Sequence, residues 1–163
     1  MNDKKLKQKR KRKQKKYETT TYSIEITDSD VSYSFRLTGK MKDMSWPFWE
    51  YMSFDLKGKF LEPKELIGKE VEAIIMGDRR YVHVLQHPME PTQEPKAIGR
   101  LTVRGIQSEF IGSIPYDSLQ MLCILQTLEK IKVLEITGEP LYRGSADIQS
   151  IRFEKEYKPE EIY

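Results

Sequence analysis

IGRLTVRGIQSEFIGSIPYDSLQMLCILQTLEK, residues 98–130, holds in one run the two patterns that decide the fold. Ile98–Arg104 alternates, with Arg100, Thr102 and Arg104 opposite Leu101 and Val103, and Glu109–Ile114 follows after Gly105-Ile106-Gln107-Ser108. Period-two alternation on both sides of a short polar, glycine-containing break is the pattern of a β-hairpin. The run then changes character. After Pro115, Asp117 and Ser118 are suitable N-caps, and residues 119–130 contain neither Gly nor Pro. Leu119, Met121, Leu122, Cys123, Ile124, Leu125 and Leu128 cover most of the circumference. A helix apolar nearly all round wants burial, which predicts a helix over about 115–130 that plugs a barrel mouth or packs across a sheet.

Outward from this run the period-two pattern dominates. Tyr22, Ile24 and Ile26 alternate with Ser23, Glu25 and Thr27, and Tyr33, Phe35 and Leu37 alternate with Ser32, Ser34 and Arg36. With Asp28-Ser29-Asp30 between them, the two segments read as a hairpin. Val71–Met76 and Tyr81–Gln86 around Gly77-Asp78-Arg79-Arg80 read as another. A loop with three prolines, His87–Pro95, follows. Lys132–Thr137 and Leu141–Tyr157 supply the last strands. In the latter, Ala146 and Ile148 are even but Ile151 and Phe153 odd, so one extra residue near Gln149-Ser150 is needed to put both pairs inside, which predicts a bulge. Nine or ten strands with one buried helix indicate a mainly β chain, an antiparallel barrel or sandwich.

The charge is divided unevenly. Residues 1–16 carry ten Lys or Arg against Asp3 alone, a net of +9, leaving 18 basic and 24 acidic side chains, a net of −6, in residues 17–163. Residues 1–16 are therefore read as a basic arm and 17–163 as a single β-rich domain. Besides Met1 the arm has one apolar side chain, Leu6, and its like charges repel, so alone it is expected to be disordered. Lys4, Lys5, Lys7, Lys9, Arg10, Lys11, Arg12, Lys13, Lys15 and Lys16 suit phosphate contacts, which bring affinity through counterion release without sequence information. An acidic lipid surface or an acidic protein would attract the same block.

Trp46-Pro47-Phe48-Trp49-Glu50-Tyr51 gathers both tryptophans. Strand parity continued through Pro47 puts Trp46, Phe48, Met52 and Phe54 in the core, and Trp49 and Tyr51 on the wet face, a candidate base-stacking platform or protein anchor. Arg36, Arg100 and Arg104 oppose apolar neighbours, and guanidinium groups on one sheet face would suit phosphate or carboxylate. Surface arginines paired with acids would give the same pattern.

Enzymatic signatures are sparse. His83 and His87 stand in an extended context, where four residues span about 13 Å, too far for one metal to hold both. Cys123, the lone cysteine, lies amid the apolar helix as filler and rules out a disulfide framework or a cysteine-rich zinc site. P-loop, Rossmann, GxSxG and zincin motifs are lacking, so no cofactor, metal or catalytic residue is implied. No apolar run approaches the roughly 18 residues that span a bilayer, nor is there the apolar core of a secretory signal. The expectation is a cytoplasmic protein, or a nuclear one in a eukaryote. Its expected role is a non-enzymatic adaptor touching nucleic acid or a nucleoprotein through the arm. The alternatives are a protein-interaction module with the arm steering, and a small-ligand or enzyme pocket in the barrel mouth.

Overall fold

The computed structural model describes residues 18–37, 48–81 and 96–159. The basic arm, Trp46, His83, His87 and the proline-rich loop lie outside these. Seven strands and one helix lie wholly within these residues: β1 (Thr20–Leu37), β2 (Phe48–Phe60), β3 (Glu70–Asp78), β4 (Gly99–Arg104), β5 (Gln107–Pro115), α1 (Tyr116–Thr127), β6 (Val133–Gly138) and β7 (Ser145–Glu154). They close into a barrel in the order β1-β2-β3-β5-β4-β7-β6, with β6 back on β1. Every pairing is antiparallel except that of β3 with β5, which is parallel.

The interior is the inward parity of each strand. Phe54, Ile75, Leu101, Phe110, Leu134, Ile136 and Ile148 are all at 0% exposure, so side chains fill the barrel. Burying apolar surface at about 25 cal/mol per Å² makes this packing the principal stabilising term. The β4–β5 hairpin turns on Gly105-Ile106, since Arg104 faces Gln107, and Gly105 takes the positive φ of 58° that such a two-residue turn needs. In β7 the predicted bulge is present: Ser150 faces Thr137 but Ile148 faces Gly138, leaving Gln149 as the extra residue. Ile151 and Phe153 thereby return to the core side.

Two expected hairpins are corrected. Thr20–Leu37 is one continuous strand, with no turn at Asp28-Ser29-Asp30. The parity slip is a bulge at Thr27, where Ile26 faces Gly58 and Asp28 faces Lys57. The aspartates stay extended by accepting the next residue's N–H, Ser29 N–H on Asp28 Oδ1 at 2.9 Å and Val31 N–H on Asp30 Oδ1 at 2.8 Å. β3 does not fold back on Tyr81–Gln86 either, because β2 and β5 occupy both its edges. Tyr81, expected to open that strand, is helical with Arg80, and beyond Tyr81 the segment is outside the described residues.

The helix forms close to the expected place and packs on the sheet against β2, β3 and β5. Its first turn makes the close contact: Tyr116 and Leu119 are buried, and a Cβ on Gly77 would lie 2.9 Å from Tyr116 Cδ2 and 3.1 Å from Leu119 Cδ2. Leu119 joins the core cluster of the barrel, while Met121, Ile124 and Leu128 form a stripe facing water. Among the described residues no helix is long and apolar enough to cross a membrane.

Candidate nucleic-acid interface

β6 pairs with β1 only over residues 20–25, and β3 pairs with β2 only over residues 53–59. The end of β1 and the near end of β2 therefore run past the barrel as a two-stranded ribbon, Tyr33–Leu37 against Phe48–Met52. Strand alternation gives this ribbon two unlike faces.

One face carries Arg36, Trp49 and Tyr51. Trp49 and Tyr51, two residues apart on β2, stack with centroids 5.5 Å apart and planes 1° from parallel. Arg36 faces Trp49 across the strands, and its guanidinium lies 4.5 Å from the ring centroid. This is cation–π distance. Trp49 is 39% exposed. Arg36 has no carboxylate partner among the described residues, whereas Arg79, Arg80, Arg100 and Arg152 each have one. The ribbon thus presents a stack of aromatic rings with a cation at its side that no described carboxylate pairs.

The opposite face carries Val31, Tyr33, Phe35 and Leu37 with Phe48, Glu50 and Met52. Phe48, expected in the core, is exposed: the ribbon has left the barrel before reaching it, and its ring stacks on Phe35 at 5.5 Å. Met52 is partly buried against the core and Phe54 wholly buried, so the expected parity holds while the expected depth does not. Glu50 accepts hydrogen bonds from Arg79 Nε at 2.7 Å, Tyr116 Oη at 2.9 Å and Tyr33 Oη at 3.3 Å. Arg79 also covers the Tyr116 ring at 4.1 Å. The Arg79 hydrogen bond, with that of Tyr116, holds the Glu50 carboxyl below its ordinary range. Burial, reinforced by the Glu50 carboxylate, pushes the Tyr116 hydroxyl up to about 12. The sequence reading missed this knot, although a single glutamate in an apolar parity row was its visible mark.

Arg100 and Arg104 do not join Arg36. β4 lies between β5 and β7, β1 between β2 and β6, and Arg36 is at the ribbon's far end. Arg100 is held by Asp147 at 3.0 Å, while Arg104 sits at the β4–β5 turn. Cys123 is half-buried, and desolvation pushes its thiol up, away from thiolate reactivity. No protein-family model matches the chain, and comparison with curated proteins and with solved structures returns no match.

Proposed function

We propose that this protein is a non-enzymatic binding protein that contacts nucleic acid, alone or within a nucleoprotein, through Lys4–Lys16, with Arg36, Trp49 and Tyr51 as a second surface. The observation that carries the reading is the charge division: a net of +9 in residues 1–16 beside a net of −6 in the remainder. An acidic body repels a polyanion, so the arm must supply the attraction, and Lys and Arg do so by displacing condensed counterions. The stacked Trp49 and Tyr51 beside Arg36 support a division of labour in which bases meet rings and phosphates meet the arm.

Substitution separates the two contributions. Trp49→Ala should weaken binding of a single-stranded oligonucleotide by about 1–3 kcal/mol, a base-stacking loss, with the salt slope unchanged. Fluorescence anisotropy across a salt series measures both. An unchanged affinity would remove the ribbon from the interface and leave the arm alone.

A second reading, a protein-interaction module, is favoured by the ribbon's other face, where Tyr33, Phe35 and Leu37 are 59–64% exposed. Contiguous exposed apolar side chains mark docking surfaces. In that case the arm steers the encounter, and deleting it slows association while leaving the complex intact. The third reading, a small-ligand or enzyme pocket in the barrel mouth, draws no support from an interior filled by side chains.

A further inference from the structure

Among the described residues, the projecting half of β1 has one paired edge and one free edge. Successive residues of a strand aim their N–H and C=O groups alternately to its two sides. The N–H groups of Ser29 and Val31 go to the side chains of Asp28 and Asp30, not to β2. Alternation then sends the N–H and C=O of Tyr33, Phe35 and Leu37 to the same free side. Among the described residues nothing but β2 pairs with this part of β1. The aspartates blunt the edge near the barrel. Beyond them Ser32–Leu37 holds no Pro, Lys or bulge, devices that keep an edge strand from pairing, and its one charge is Arg36.

We propose that two copies of this chain pair antiparallel along the free edge of β1, centred on Tyr33. The two-fold register argues for a second copy in particular. With Tyr33 opposite the partner's Tyr33, Val31 meets the partner's Phe35 on the apolar face. On the other face Ser32 meets the partner's Ser34 and Asp30 meets the partner's Arg36. Asp30 and Arg36 are each three residues from the centre, so the strand is its own charge complement, and the dimer contains the pair twice. Asp30 turning to the partner's Arg36 releases the Val31 N–H for the new ladder. Residues 31, 33 and 35 then exchange about six backbone hydrogen bonds across the axis. Each opposite-charge or apolar cross-strand pair adds to them. Joined this way, the two ribbons form one four-stranded sheet, β2-β1-β1-β2.

Sedimentation equilibrium of the full chain without nucleic acid, from about 1 µM to about 1 mM, tests this. The expected result is a reversible dimer. Asp30→Arg and Arg36→Asp should each weaken it by at least about tenfold, since each sets two like charges opposite one another. The double variant D30R/R36D restores opposite charges in every pair and should dimerise like the original. That rescue cannot arise from a merely unfolded ribbon. A monomer throughout the range, a dimer indifferent to both single reversals, or a double variant that stays monomeric would each overturn the proposal.

Discussion

Glu50 stands in the even row of β2 with Phe48, Met52 and Phe54, and the helix is tied to the ribbon through it. Tyr116 from α1, Arg79 from the end of β3 and Tyr33 from β1 all donate to its carboxylate. The two titrations work in opposite senses. Tyr116, raised to about 12, contributes stability that is fully present below pH 10 and is lost as pH rises through about 12. Glu50, lowered, contributes stability present above the ordinary carboxylate value and lost as pH falls through its depressed pKa. Ultraviolet titration of tyrosinate should therefore show a late component near pH 12 that Tyr116→Phe removes. Urea unfolding at neutral pH should show that variant less stable by about 0.5–1.5 kcal/mol, the net value of a hydrogen bond. Glu50→Gln should flatten the acid limb of the stability profile. If Tyr116→Phe left the high-pH titration unaltered, the knot would not exist in solution.

The elements show where alternation can be read and where it misleads. Two strands contain a parity slip, and the same physical event, one extra residue, causes both. In β7 the slip falls between apolar pairs, Ala146/Ile148 and Ile151/Phe153, which must share the core side, so a bulge was the only consistent reading. In β1 it falls next to Asp28-Ser29-Asp30, whose composition imitates a turn. These aspartates serve an extended edge instead, each capping one outward N–H. Parity reports which face a side chain takes but says nothing of where a neighbouring strand ends. The exposure of Phe48 and the ribbon itself follow from β3 and β6 stopping short, and so were not legible. The parallel β3–β5 pairing and the Glu50 knot depend likewise on contacts between residues far apart in sequence. The helix placement rests on the absence of a side chain at Gly77. Gly77→Ala should cost about 1–3 kcal/mol by overpacking against Tyr116 and Leu119, measured by denaturant unfolding. A neutral outcome would mean that the helix shifts freely on the sheet.

At the scale of the whole molecule, charge and shape divide the work. A packed barrel carries, at one end, a ribbon with an aromatic and cationic face and an apolar one. The arm holds the positive charge that the body lacks, and its ten basic side chains were legible from composition alone. The ribbon's part was legible only as a parity in which Trp49 and Tyr51 share the wet face; that Arg36 lies over Trp49 depends on the β1–β2 register. The most direct test is fluorescence anisotropy with labelled single-stranded RNA and duplex DNA across a salt series, comparing the full chain with one lacking residues 1–16. Neutralising five or six phosphates predicts a log–log salt slope of about −3.5 to −5.4 for the full chain, with binding lost when the arm is removed. A slope near zero, or equal affinity of the two chains, would contradict the account.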